Sequence, residues 1–265
     1  MDDTLKFTGS EGYERLVGRW STVVGDVFLD WLAAPSGMRW LDVGCGTGAF
    51  TEAIAARCAP AEVHGIDPSE AQIAYARSRD AAKCVQFRTG DALALPYRDA
   101  SFDVATMALV ISFVPDTAKA TAEMARVVRP GGWVANYMWD IPGEGSPVTP
   151  LRNAAKALGL APPLARQNVE VSRIENMRAL WQAAGLEAVE MRRIDIEVRY
   201  AGFDDFWQSI TAPGNPPAEY LRTLPPIDVE RVRNWLQQSL PHDAAGLICY
   251  GAFANAAKGR VPLIR

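Results

Sequence analysis

The chain has 265 residues, of which 49% are apolar, enough for one large hydrophobic core or a core with a small appendage. Its 27 basic and 31 acidic residues leave a formal charge of -4 and contain no Lys/Arg run, which argues against a broad phosphate-binding face and a nucleic-acid partner. Two histidines and four scattered cysteines, Cys45, Cys58, Cys84 and Cys249, argue against a His-rich metal site and fit reduced thiols.

The first twenty residues carry acids where a signal peptide needs bases, and the longest apolar run, around "VATMALVISFVP", is shorter than the roughly 20 residues that cross a bilayer. The expectation is a cytoplasmic protein with no membrane span and no metal.

From Met38 onward, short Val/Ile-rich runs alternate with segments of helical period. "MRWLDVGC" precedes "GAFTEAIAARC", "AEVHGID" precedes "SEAQIAYARSRDAA", and "CVQFRTGDA" and "FDVATMALVIS" precede "TAKATAEMARVV". "WVANYMWD" follows the turn Pro130-Gly131-Gly132. Such alternation predicts βαβ units, a mainly parallel doubly wound sheet and helices on both faces.

Beyond Asp140 the stretch 141–165 is rich in Pro and Gly and reads as an excursion. "RIENMRALWQAAG" predicts an amphipathic helix stopped by Gly185. Two alternating stretches, "EAVEMRRIDIEVRY" and "GLICYGAFANAAKG", predict antiparallel tail strands at one sheet edge, separated by a helical insert broken by prolines. The α/β class thus has seven strands, an antiparallel C-terminal edge strand and helical lid insertions. It is read as one domain over 1–265, with a cofactor-binding core at about 38–140 and lid segments at about 1–30, 141–165 and 203–240.

In "LDVGCGTGAF", Gly44, Gly46 and Ala49 fit the G-x-G-x-x-[G/A] dinucleotide fingerprint, a weak signal by itself. A strand end, a tight turn and a helix N-terminus suit any ligand that needs close backbone approach. Asp42, two residues earlier, would repel a pyrophosphate but suits an ammonium or sulfonium group. Asp67 ends the second strand, where a carboxylate can accept from two ribose hydroxyls. Asp91, just past the third strand, could accept from an adenine amino group. The alternative role for each acid is only to cap a following helix, Asp67 before "PSEAQ" above all. Gly48 reads as helix-on-sheet packing, and Cys45 as a space-filler rather than a nucleophile.

The ordered set "LDVGCGTG", "VHGIDPS", "RTGDALALPYRDASFDVA" and "VVRPGGWV" resembles class I S-adenosylmethionine-dependent methyltransferases, in their UbiE-like small-molecule branch. The resemblance covers residues 38–140; the opening "GYERLVGRW" and the ending "GAFANAAKGRVP" are similar to bacterial members too. It implies a Rossmann-like fold, S-adenosyl-L-methionine as cofactor and a small-molecule methyl acceptor. Gly44 and Gly46 then match the turn at the methionine part, with Asp42 near its amino group. Asp67 matches the ribose-binding acid, and Pro68 or Ser69 the residues against the adenine. Asp91 and Ala92 match the adenine pair, and Met107 and Ala108 the backbone facing the methionyl part and the substrate. Tyr13 and Arg19, before the first strand, could serve the cofactor's sulfonium and carboxylate, or belong to a helix packed on the core.

No catalytic base stands out. His64 lies in a buried-strand pattern, and where relatives often carry a histidine after the fourth strand this chain has Ser112 and Phe113. His242, in the C-terminal insert, is a weak candidate. Aromatic residues of the variable segments, Trp139, Phe206, Trp207, Tyr220 and Trp235, favour an apolar or aromatic acceptor. The alternatives are an NAD-dependent oxidoreductase, for which no Tyr/Lys or His/Asp arrangement is found, and a cofactor-binding protein without turnover. A methyltransferase of RNA or protein is disfavoured by the acidic balance.

Overall fold

The computed structural model describes residues 19–79, 85–161, 168–213 and 215–263. The chain divides into two compact units, one of Met1–Ser21, Glu144–Ala165 and Asp195–Phe253, the other of Thr22–Gly143, Arg166–Ile194 and Ala254–Arg265.

The larger unit is built on β1 (Arg39–Val43), β2 (Glu62–Asp67), β3 (Val85–Thr89), β4 (Phe102–Ala108) and β5 (Val128–Trp139), with β6 (Glu187–Tyr200) as far as Ile194 and β7 (Ile248–Arg260) from Ala254 onward; the seven-stranded sheet has the order β3-β2-β1-β4-β5-β7-β6. Pairing is parallel from β3 to β5 and antiparallel between β5 and β7, where Trp133 faces Arg260 and Trp139 faces Ala254. The expected class holds. The antiparallel strand, however, stands one place in from the edge, with β6 outermost. Strand order reverses between β1 and β4, which opens the crevice used for ligands in open α/β sheets at the carboxyl ends of those strands.

Helices α1 (Arg19–Leu32), α2 (Ala49–Arg57), α3 (Glu70–Ser78), α4 (Thr117–Val127) and α6 (Ile174–Ala183) alternate with the strands; α5 (Thr149–Ala157) belongs to the smaller unit. From Thr22 onward α1 packs on the core: Phe28 is fully buried, its ring 4.8 Å from Tyr137 and 6.0 Å from Phe50. On α6, Met177 and Trp181 are fully buried four residues apart, and the Trp181 indole donates to the Val134 carbonyl at 3.2 Å. At the expected turn, Pro130-Gly131-Gly132, the pairing of β5 with β4 is interrupted: the register jumps from Phe102↔Val128 to Val104↔Trp133, and Gly131 has φ +74°.

The smaller unit is mostly helical, with α5, α7 (Phe203–Thr211), α8 (Pro216–Thr223) and α9 (Pro226–Ser239). Prolines at the first turns of α5, α8 and α9 mark where helices start, because a ring without N–H costs nothing there. Phe206 and Tyr220, read as lid aromatics, are buried within this unit, and the Tyr220 hydroxyl donates to the Ala161 carbonyl at 2.7 Å. Trp139 is likewise buried, on β5, while Trp207 and Trp235 are half-buried. Among the described residues no helix is long and apolar enough to cross a membrane.

Candidate functional site

The glycine turn after β1 is tied to the end of β2. The N–H groups of Gly44 and Cys45 both donate to the Ile66 carbonyl, at 2.7 and 3.0 Å, and the Gly46 N–H donates to Asp67 Oδ2 at 3.0 Å. Gly44 has φ +74°, and a Cβ there would lie 2.6 Å from a methyl of Val110, the residue that follows β4 by two. The loops on either side of the strand-order reversal therefore touch, and only a residue without a side chain allows it. Gly48 is closed against Phe87, 3.0 Å from where its Cβ would stand, and packs α2 on the sheet.

Two acids sit in this turn. Asp42 is fully buried; Thr51 of α2 donates its hydroxyl to Asp42 Oδ2 at 2.7 Å, while Oδ1 has no partner among the described residues. Burial pushes the Asp42 carboxyl up to about 7, the Thr51 hydrogen bond pulls it down, and the Asp67 charge pushes it up again. Asp67 is 8% exposed and accepts from Gly46 through one oxygen and from the Ser69 N–H, at 2.9 Å, through the other. Burial raises its carboxyl as well, against the two amide bonds. The N-cap of α3 is Ser69, whose hydroxyl accepts from the Gln72 N–H at 3.4 Å. Asp67 is therefore not the cap, and both its oxygens keep a second lone pair.

Next along the edge, the Gly90 N–H donates to the Asp67 carbonyl at 3.1 Å and brings in the loop that carries Asp91. Asp91 is exposed, and its Oδ1 accepts from the Leu93 N–H at 2.9 Å. This loop is held from α4: Glu123 Oε2 accepts from the Leu95 N–H at 2.8 Å, and Arg126 donates to the carbonyls of Tyr97 and Leu95 at 2.8 and 2.9 Å. Asp42, Asp67 and Asp91 thus stand at the carboxyl ends of three adjacent strands.

Of the other residues singled out, Pro68 is exposed and Ala92 half-buried. Met107 is buried opposite Asn136 and Ala108 pairs with Tyr137 on β5. Tyr13 lies outside the described residues, and Arg19 begins α1. Cys45 is buried, and burial together with the Asp42 and Asp67 charges holds its thiol well above the ordinary range, so it stays a neutral filler. His64 Nε2 lies 2.7 Å from Glu62 Oε1, with its ring edge-on to Tyr97 and Phe102. His242 is exposed in the turn before β7, its Nδ1 3.2 Å from the Leu240 carbonyl. Ser112 is fully buried against Met138. Among the described residues no group of three or more His, Cys, Asp and Glu side chains could hold a metal ion.

Thr51 and Val110 were not singled out from the sequence. Thr51 could have been: a hydroxyl residue in the first turn of the helix after a strand-end acid is positioned to reach back to it.

A sequence family described as a methyltransferase domain matches residues 41–136. The ubiquinone/menaquinone biosynthesis C-methyltransferase of Dinoroseobacter shibae is 40% identical over 111 residues, 40% of this chain and 44% of that protein. The demethylmenaquinone methyltransferase of Staphylococcus aureus is 42% identical over 100 residues, 37% of this chain and 42% of that protein. The chain therefore spans less than half the length of these relatives. The fold is similar to that of phosphoethanolamine N-methyltransferase 2 of Haemonchus contortus, solved in complex with S-adenosyl-L-methionine, with a TM-score of 0.60, 18% identity, and coverage of 98% of this chain and 58% of that one.

Proposed function

We propose, from the match of residues 41–136 to a methyltransferase-domain family, that the chain is an S-adenosylmethionine-dependent methyltransferase acting on a small, apolar or aromatic acceptor. The observation that carries the reading is the pair of buried acids, Asp42 and Asp67, around the glycine turn, with one Asp42 oxygen unpartnered among the described residues. Two carboxylates so close disfavour a pyrophosphate and suit a ligand that brings positive charge and hydroxyl donors. S-adenosyl-L-methionine, with its ammonium, sulfonium and ribose diol, has that chemistry, and these residues fit it.

In this reading Asp67 would hold the ribose hydroxyls through its free lone pairs, and Asp42 would lend negative charge to the turn. The backbone of Gly44 and Gly46 would lie along the methionyl part. Asp91, Ala92, Pro68 and Ser69 would frame the adenine, and Met107 and Ala108 the side toward the acceptor. When bound, the cofactor supplies an electrophilic methyl on sulfur, so the protein's share is alignment and exclusion of water. The exposed position of His242 and the engagement of His64 with Glu62 favour an acceptor that is itself a good nucleophile.

The names of the two relatives favour a quinone-type ring as acceptor. The matched family stops at residue 136, before the segments read as substrate-binding, so the acceptor class here stays at the small apolar or aromatic molecule.

The test is thermal unfolding of the full chain with S-adenosylmethionine, S-adenosylhomocysteine or NAD. Stabilisation by the first two is expected, about 2.7 kcal/mol at a hundredfold excess over Kd. Asp67→Asn should weaken binding by about tenfold to a hundredfold, the value of hydrogen bonds to a charged group. Stabilisation by NAD alone would replace methyl transfer with the oxidoreductase reading.

A further inference from the structure

The smaller unit contains a pocket of its own, of about 180 Å³. It is bounded by the loop that opens α5, by the last turns of α9 with the following Leu240 and Pro241, and by Tyr250 and Gly251 of β7. These segments come from residues about a hundred positions apart, and the loop is fastened to the strand at both ends. Phe253 N–H donates to the Gly145 carbonyl at 2.8 Å, and the Tyr250 hydroxyl donates to the Pro147 carbonyl at 2.8 Å. Gly145 is obligatory here, since a Cβ would stand 2.4 Å from the Phe253 carbonyl oxygen. Thr149 then closes the loop, its hydroxyl donating to the Glu144 carbonyl at 3.0 Å. The walls are thus built before any ligand arrives.

The lining has a definite chemistry. Glu144 supplies a carboxylate with no ion-pair or hydrogen-bond partner among the described residues, and it sits at φ +61°, a left-handed backbone that non-glycine residues avoid. Asn153, Ser239 and the Trp235 indole N–H likewise make no side-chain hydrogen bond to a described residue. Tyr250, its hydroxyl engaged and its ring stacked on Tyr200 at 6.4 Å, and Trp235 are the aromatic members of the lining; Pro150, Leu240 and Pro241 are apolar. Among the described residues no lysine or arginine lines the pocket. An acid, two electron-rich aromatic side chains and spare oxygen acceptors in one lining together favour a cation with hydrogens to donate. The volume sets the size: a cavity of about 150 Å³ takes a benzene ring, so this one takes a single six-membered ring with a short substituent.

We propose that this pocket binds a small monocyclic amine in its ammonium form, with the charge at Glu144 and the ring against Trp235 and Tyr250. The proposal does not depend on the methyl-donor reading, because no residue of the glycine turn takes part.

The experiment is calorimetric titration of the full chain at neutral pH with three probes of one shape: benzylamine as the cation, benzyl alcohol as the neutral molecule and benzoate as the anion. One benzylamine per chain is expected, with benzyl alcohol weaker and benzoate weakest. Glu144→Gln should weaken benzylamine roughly fivefold, as befits an exposed ion pair, and leave benzyl alcohol unchanged. Trp235→Leu should weaken both, with circular dichroism verifying that the variant is folded; should it not fold, ring-proton saturation transfer from the native chain to benzylamine, reaching half its maximum at a roughly fivefold higher benzylamine concentration in Glu144→Gln, decides in its place. Equal binding of amine and alcohol, tighter binding of benzoate, an amine preference that survives Glu144→Gln, or no binding of any probe overturns the proposal. Because no methyl donor is present, its failure leaves the methyltransferase reading untouched.

Discussion

The backbone N–H of Gly46 lies 3.0 Å from Asp67 Oδ2, so the acid that ends β2 closes the glycine turn that follows β1. One side chain thereby ties two strand ends together and stays partly open for a ligand. The energetics of the turn follow from that arrangement and from the burial of Asp42 beside it.

Asp42 makes stability depend on pH. Its carboxyl is held at about 7 in the folded chain against 3.8 as an ordinary carboxylic acid, so folding favours the protonated form. That contribution is complete below the unfolded pKa and is lost as pH rises through the folded one. Asp42→Asn removes the dependence. In urea unfolding of the ligand-free chain, the stability of the variant relative to the parent should grow by about 2 to 3 kcal/mol between pH 5 and pH 8. A difference that stays flat across this range would mean that Asp42 is ionised throughout.

Gly44 should tolerate no side chain. Gly44→Ala meets two penalties, the left-handed φ of +74° and a contact of 2.6 Å with Val110. A loss of about 2 to 4 kcal/mol is expected in chemical denaturation. Adding Val110→Ala should recover the steric part and leave the backbone part of about 1 to 2 kcal/mol. Strict additivity of the two changes would show that the loops do not touch.

Arg126 and Glu123 should govern the order of the loop that carries Asp91. Arg126→Gln removes donors from the carbonyls of Leu95 and Tyr97 and from Glu123, which itself accepts from the Leu95 N–H. Hydrogen exchange at the Leu95 amide should rise about tenfold, the equivalent of one hydrogen bond, while amides in the central strands β1 and β4 change little.

In the smaller unit, Asn215 is fully buried and bonds twice. Its Oδ1 caps α8 by accepting from the Ala218 N–H at 2.8 Å, and its Nδ2 donates to the Ser209 carbonyl at 2.9 Å. Asn215→Ala should cost about 2 to 3 kcal/mol, more than an exposed cap, because a buried carbonyl loses its partner too. A cost near 1 kcal/mol would assign the whole effect to the cap.

The order of elements from β1 to β5, and the acids at three successive strand ends, were legible because their signals are local. A period-2 run, a helical run and a Gly-x-Gly turn each declare themselves within about ten residues. Asp42 and Asp67 could be read as strand-end acids for the same reason. Their environment could not: that Asp42 is fully buried with one oxygen lacking a partner among the described residues, and that Ser69 rather than Asp67 caps α3, depends on what packs against them. The bend at Pro130-Gly131-Gly132 was legible from its residues, but that it interrupts the register of one long strand depends on pairing with β4 and β7.

By itself, then, the sequence determined the α/β class, the βαβ succession and the chemistry at the crevice, because periodicity and turn residues act over short distances. Tertiary structure alone decided that β7 slips between β5 and β6, that Val110 closes on Gly44, and that Glu144, Trp235 and Tyr250 share one pocket. Such juxtapositions arise from packing between residues far apart along the chain, where side-chain volume and hydrogen-bond satisfaction choose among arrangements that local propensity leaves equal.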